Sequence, residues 1–429
     1  MNLTFPKDQL QPIFDALSRA NAAFADSYPG DPVERQPVHV VYGGAHLFKA
    51  GTQASLARNA RDTFSRYLPT PDSLVTVLGI PVDVAPIVHD RIRHKLETEP
   101  VEDYRIDFED GYGQRPDDEE DKDAVRAARE LRQAHTAGQL PPFIGLRVKP
   151  LTQALAQRSV RTLDLFLTAI LESGEMPRGF LINLPKITVP AQVKMFADLL
   201  SGLELRHNLP GGSLRIELMI ETPQALQQLD ILLEAARGRC FTLHFGAYDY
   251  MTACNISGAV QTLSHPAANF ARQSLKVAAA QRGVFLSDGA TTTLPIAPHR
   301  GADLSVEQQE ENCSVIHRAM RLHYDDAIQS LQHGFYQGWD LHPAQIPTRY
   351  AAVYTFFLSG FDSAARRLKN FVAQAAQATR IGEVFDDAAT AQGLLNYLLR
   401  ALSSGAITEE EAIASGLTAD QIRRRTFLA

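Results

Sequence analysis

Two acidic residues close runs of strand character: Glu221 ends LRIELMIE, and Asp249 lies just past CFTLHFGAY. A carboxylate at the C-terminal end of a barrel strand points into the mouth of a (β/α)8 barrel, where such folds carry their chemistry. Two such carboxylates suit one hard divalent cation. Mg2+ takes oxygen ligands, keeps several waters and is usually held by one or two carboxylates plus substrate, so a chelating 2-oxo acid would complete the set. The competing reading is two unrelated surface acids at loop starts.

Three further constellations join this pair. YRIDFEDGYG carries Asp107, Glu109 and Asp110. Period-two alternation puts Asp107 and Glu109 on one face and Ile106, Phe108 and Asp110 on the other. A buried Asp107 would need a partner; otherwise this is an acidic strand end satisfied by lysines and water. Glu109 and Asp110 stand as substrate-binding candidates. Arg147 in FIGLRVKP offers a bidentate fork to a carboxylate or an enolate, or it forms a structural ion pair with the acidic cluster. Lys186 in NLPK balances nearby acids and is given no catalytic step. DDAATA, residues 386–391, reads from composition as a helix N-cap. His244 and His342 fall near strand ends and read as hydrogen-bonded core or rim residues.

The elements that must position these groups are eight β-branched or aromatic runs. They are HVVYGG from His39, YRIDF from Tyr104, FIGLRV from Phe143, FLINL from Phe180, LRIELMI from Leu214, FTLHFG from Phe241, GVFLSD from Gly283 and GFYQGWDLH from Gly334. Segments of helical periodicity separate them, which predicts a parallel (β/α)8 barrel. SLVTVLGI from Ser73 could be a further strand and shift the register by one. Thr222–Pro223 and His342–Pro343 read as helix starts. The acidic run 117–123 reads as a solvated helix start. Beyond about residue 346 the pattern is all helical, with capping boxes at Thr408-x-x-Glu411 and Thr418-x-x-Gln421. The expected division is a helical extension over 1–37, a barrel over 38–345 and a C-terminal helical cap domain over 346–429.

Composition narrows the function. With 429 residues and 45% hydrophobic content, the chain can bury a large core. A net charge of −7 without a Lys/Arg-rich block disfavours nucleic acid and anionic membranes as partners. Three cysteines without a C-x-x-C argue against a disulfide framework or a structural zinc site and fit a reducing cytoplasm. The N-terminus does not read as a signal peptide, and no stretch approaches ~18 continuous apolar residues. The motifs G-x-x-x-x-G-K-[ST], H-E-x-x-H and G-x-G-x-x-G do not occur.

In order along the chain, the pieces resemble the malate synthase and citrate lyase β-chain superfamily, over roughly residues 100 to 400. IDFEDGYG is similar to the family's D-F/L-E-D segment, and GLRVKP to its strand-borne arginine. NLPKITVPAQVKMF resembles its LPK segment. GSLRIELMIETPQAL and LHFGAYDYMTACNI resemble its two metal-ligand segments, and QGWDLHPAQIP its G-x-x-x-H-P segment. FDDAATA resembles the C-terminal E-D-A-A-T-A of malate synthases, which places the family's aspartate base at Asp387. There are departures. Ala247 stands where common malate synthases carry an arginine, Lys149-Pro150-Leu151 replaces Gly-Trp-His, and FLSDGATTTLPIAP replaces a glycine- and methionine-rich stretch. The N-terminal region is also short for the family. These departures leave the particular substrates open.

The resemblance implies a Mg2+-dependent enzyme that makes or breaks a carbon–carbon bond through an enolate, on a small 2-oxo acid and an acyl-CoA. Glu221 and Asp249 would hold the metal, backbone N–H groups around Gly246, Ala247 and Tyr248 the oxo-acid carboxylate, Arg147 the enolate oxygen, and Asp387 the proton. The alternatives are a 2-oxo-acid aldolase or 3-hydroxyacyl-CoA lyase, phosphoryl transfer on an enolpyruvate, and a non-catalytic metabolite binder. A homo-oligomer is compatible with all of them.

Overall fold

The computed structural model of the 429-residue chain describes all residues except 1–3, 29, 31, 33, 173–174, 374–378, 382–383, 387, 415, 417, 419, 421 and 423–429. Eight parallel strands close a barrel in sequence order. They are β1 (His39–Gly44), β2 (Asp103–Asp107), β3 (Phe143–Arg147), β4 (Phe180–Leu184), β5 (Arg215–Ile220), β6 (Cys240–Phe245), β7 (Phe285–Ala290) and β8 (Gln337–Asp340). Each falls within or beside one of the eight runs expected from the sequence.

Helix α1 (Lys7–Ser27) precedes the barrel and keeps Ile13, Phe14, Leu17 and Phe24 exposed. Between β1 and β2 come α2 (Thr52–Tyr67), α3 (Pro71–Leu78) and α4 (Ala85–Thr98). The next crossovers are α5 (Asp117–Thr136), α6 (Ala156–Leu171) and α7 (Pro190–Arg206). After β5 come α8 (Pro223–Leu226) and α9 (Leu229–Ala235), and after β6 come α10 (Ala247–Ala253) and α11 (Pro266–Arg282). Helix α12 (Val306–Gln332) leads into β8, and α13 (Ile346–Ala373) follows it. No helix among the described residues is long and apolar enough to cross a membrane.

The run from Ser73 is not a strand. It forms α3, capped by Thr70 in a capping box and closed by left-handed Gly79 (φ 67°). Leu74 and Leu78, four apart, are both fully buried, as one face of a helix requires. Thr222 caps α8 through its side chain, and His342 caps the turn that leads into α13. The acidic run does open α5, but Glu120 is fully buried against Lys149, Arg158 and Thr162 rather than solvated.

The outward strand residues, among them Ile106, Leu146, Ile182, Leu218 and Leu243, pack beneath the helices in one core. The barrel interior is layered differently. Phe143, Leu181, Phe241 and Phe285 form an apolar plug where the strands begin. Above them, Arg105 of β2 crosses the interior to Glu217 of β5 (3.2 Å) and forks onto Asp103. Glu217 also accepts from the Tyr42 hydroxyl and the Asn183 amide, each at 2.7 Å. All of these charged groups have no measurable exposure. Burial pushes the Asp103 carboxyl up to about 7, while Arg105 and the neighbouring donors outweigh burial at Glu217 and hold it below the usual range.

The helical tail docks at the opposite end of the barrel from the strand C-termini. At about 1.5 Å per residue, the 28-residue α13 runs some 42 Å, well past the barrel. A small antiparallel pair, β9 (Thr379–Ile381) and β10 (Val384–Asp386), follows, and then α14 (Ala388–Ser403). Leu395, Leu398 and Leu399 pack on Ala364, Leu368 and Phe371. The Tyr397 hydroxyl reaches the carbonyls of Phe356 and Phe357. Arg400 bonds Gln36 ahead of β1 and covers the Phe285 ring at the start of β7. Helix α14 therefore runs toward the barrel from beyond it, and its first residue lies beside the far end of α13. Helix α15 (Glu409–Ala414) closes the described tail, and its start carries the expected Thr408–Glu411 capping box. Gln421 of the second capping box lies outside the described residues.

Replacing Arg105 with Met strands two buried carboxylates. Such a break costs about 3–5 kcal/mol. Urea unfolding should show a loss of that size; a loss below about 1 kcal/mol would mean that the interior layer does not depend on the arginine.

Candidate active site

Short loops at the strand C-termini bring most of the expected residues to one mouth. Arg147 ends β3 and is 2% exposed. Its Nε donates to Asp107 Oδ1 at 2.7 Å, and its Nη2 donates to Asp107 Oδ2. Nη1 faces Glu109 Oε2 at 3.0 Å and Asp110 Oδ2 at 3.5 Å. The rings of Tyr42 and Trp339 lie against the guanidinium, at 5.0 and 5.5 Å. Asp107 thus finds in Arg147 the partner that a buried strand aspartate needs. It also accepts the backbone N–H groups of Glu109 (2.9 Å) and Gly111 (2.7 Å). Burial would raise its carboxyl, but Arg147 and these N–H groups outweigh that and hold it below the usual range. The two readings of Arg147 are therefore not exclusive. One edge of its fork is a structural ion pair, and the other faces the mouth.

Glu221 directly follows β5 and is almost fully buried, whereas Asp249, the third residue of α10, is half exposed. Glu221 fits only because residue 246 is glycine: a Cβ there would stand 2.5 Å from the Glu221 Cβ and 2.7 Å from its Oε2. Among the backbone groups expected to bind substrate, the Gly246 N–H is already given to the Ile220 carbonyl at 3.0 Å. That leaves Ala247 and Tyr248, in the first turn of α10, for that role. Asp387 lies outside the described residues.

Lys186, expected from the sequence to balance nearby acids, stands at the centre of them. Its Nζ is 2.7 Å from Asp249 Oδ2, 3.6 Å from Glu221 Oε2, and 3.8 Å from both Glu109 Oε1 and Asp110 Oδ2. Its backbone N–H donates to Glu221 Oε1 at 2.6 Å. Burial opposes its charge, but Glu221 and the other carboxylates outweigh that and hold the ammonium protonated well above its ordinary range. Its central position could not be read from NLPK, because it depends on a left-handed backbone (φ 51°) that carries the side chain across the mouth.

Four carboxylates thus gather around one cation, and every donor is a hard oxygen. No group of three or more His, Cys, Asp or Glu among the described residues forms a ready-made metal cage. The set still fits a hard divalent ion held by two carboxylates, water and substrate oxygens. His244 is a core residue, its Nδ1 3.3 Å from the Tyr42 hydroxyl, and His342 is a cap, as expected.

Burial, with Asp249 and Glu109 nearby, pushes the Glu221 carboxyl up to about 8 against the pull of Lys186. Burial and Asp110 push Glu109 up to about 7. A carboxyl whose pKa is raised by folding keeps its proton in the native state after the unfolded chain has lost it, so stability falls as pH rises through that window. For Glu221 the window runs from about 4.5 to about 8. The metal-free protein should lose thermal stability across it, and Glu221→Gln should flatten the profile. An unchanged slope in that variant would contradict the assignment.

The chain is 26% identical to malate synthase A of Escherichia coli (strain K12) over 194 residues, which is 43% of this chain and 33% of that protein. It therefore spans about a third of the length of the curated relative it matches. A citrate lyase from Burkholderia xenovorans LB400 superposes with a TM-score of 0.56 at 19% identity, covering 77% of this chain and 92% of that one. CitE from Mycobacterium tuberculosis, solved with magnesium, acetoacetate and coenzyme A, gives 0.49 at 15% identity over 86% of this chain and 99% of its own. The fold is thus that of the citrate lyase barrels, and over residues 17–429 the chain belongs to the family described as a domain of unknown function, DUF6986.

Proposed function

We propose that the protein is a Mg2+-dependent enzyme that makes or breaks a carbon–carbon bond through an enolate, using a small 2-oxo acid and an acyl-CoA. The observation that carries this reading is the convergence of Glu221, Asp249, Glu109 and Asp110 on one cation position beside Arg147. Glu221 and Asp249 would hold the metal, which when bound supplies Lewis-acid polarisation of the oxo-acid carbonyl. The N–H groups of Ala247 and Tyr248 would orient the oxo-acid carboxylate. Arg147 is locked from below by Asp107 and two rings, so its outward Nη1 can meet a developing enolate oxygen without reorganising. Glu109 and Asp110 would line the substrate side of that fork. Kinship by name to a malate synthase and a citrate lyase is in keeping with this chemistry.

The proton acceptor is assigned to Asp387. Helix α14 packs at the N-terminal end of its own barrel, and Asp387 lies outside the described residues. Asp387→Asn keeps capping capacity but cannot take a proton. It should stop exchange of acyl α-protons with deuterated water while sparing Mg2+ and oxo-acid binding. Normal exchange in the Asn variant would favour the second reading, a 2-oxo-acid aldolase that works without the tail, which the position of α14 supports.

The reaction itself is tested by screening 2-oxo acids with and without acyl-CoAs, following thiol release and Mg2+-dependent α-proton exchange. Glu221→Ala and Asp249→Ala should each abolish Mg2+-dependent oxo-acid binding in calorimetry with the fold retained; wild-type affinity in both would remove the site. Arg147→Lys keeps the charge but loses the fork, and turnover should fall on the order of 10²-fold. Unfolding without a specific kinetic defect would leave Arg147 a purely structural role.

A further inference from the structure

We infer that Lys186 is a positioning residue that holds the carboxylates of the metal site at cation spacing and is displaced when the divalent ion enters. The inference rests on the assignment of Glu221 and Asp249 as ligands. Lys186 is tied to both: its N–H fixes Glu221 Oε1 and its ammonium touches Asp249 Oδ2 at 2.7 Å. A Mg2+ ion bonded to that aspartate oxygen at about 2.1 Å would lie within about 4.8 Å of the ammonium. Two like charges that close, in a half-buried mouth, repel strongly. The same carboxylate oxygen would also have to serve both cations.

The side chain has somewhere to go. Glu109 Oε1 and Asp110 Oδ2 are each 3.8 Å from Nζ, on the side toward Arg147 Nη1. A swing toward them leaves the backbone N–H on Glu221, so one ligand stays fixed while the half-exposed Asp249 is released to the metal. Without the lysine, Glu221 and Asp249 would lose the cation paired with them among the described residues, while Glu109 and Asp110 would keep Arg147. With it, the empty site is stable and the metal must compete for it.

The competition gives the variants opposite signs on two readouts. Lys186→Met should bind Mg2+ more tightly than wild type, by roughly tenfold or more in calorimetry without substrate. It should also melt several degrees lower than wild type in the presence of a chelator. Lys186→Arg, which keeps a cation, should retain the wild-type melting temperature. Unchanged or weaker Mg2+ affinity in Lys186→Met, with measurable binding by wild type, would overturn the inference while leaving the site intact. Absence of Mg2+ binding by wild type would instead remove the metal site and this inference with it. Wild-type protein offers a check that needs no variant. Mg2+ should speed acetylation of Lys186 by an amine-reactive reagent, followed by peptide mass spectrometry, and an unchanged rate would also overturn the inference.

Discussion

The constraint on which this molecule depends is that charge placed inside a barrel must be paired. An isolated buried ion costs far more than a fold can tolerate, so each carboxylate in the interior needs a cation or several donors. The chain meets this with alternating charge along the barrel axis. Asp103 and Glu217 share Arg105 in the middle layer. Asp107 and Glu109 share Arg147 at the strand ends. Glu221, Asp249, Glu109 and Asp110 share Lys186 at the mouth. An apolar plug of phenylalanines closes the other end.

Rigidity decreases upward through these layers, and that gradient suits a catalytic site. Arg105 and Arg147 are buried and fixed by forked contacts. The Tyr42 ring touches Arg147 above while its hydroxyl bonds Glu217 below, so the two layers are mechanically joined. Asp110 and Asp249, in contrast, are 60% and 50% exposed at the side chain. They can change partners at little cost when ligands arrive. Under the proposed function, an arginine held still beside these exposed acids would be preorganised toward one developing charge.

The barrel was readable in the sequence because its strands are short β-branched runs between long helical periods, a contrast that survives tertiary packing. The run from Ser73 misled because Val and Thr lower helix propensity only slightly, and Thr70–Pro71 ahead of it already announced the helix start found in α3. Glu221, Asp249, Asp107 and Arg147 were readable because strand ends share one mouth. Lys186 was not, since its place depends on a left-handed residue and on four carboxylates drawn from three separate loops. Nor could the sequence say at which end of the barrel the tail docks. That is set by the leucines of α14 on the overhanging half of α13.

The account's central claim is that the acidic mouth is a divalent-cation site built for a 2-oxo acid. Crystals grown with Mn2+ and pyruvate, measured at the manganese absorption edge, test it most directly. One anomalous peak should appear at the mouth, bonded to Glu221, Asp249 and the pyruvate oxygens, with the Lys186 ammonium withdrawn from Asp249. A peak elsewhere, or pyruvate bound with the Lys186–Asp249 pair intact and no metal beside it, would contradict it.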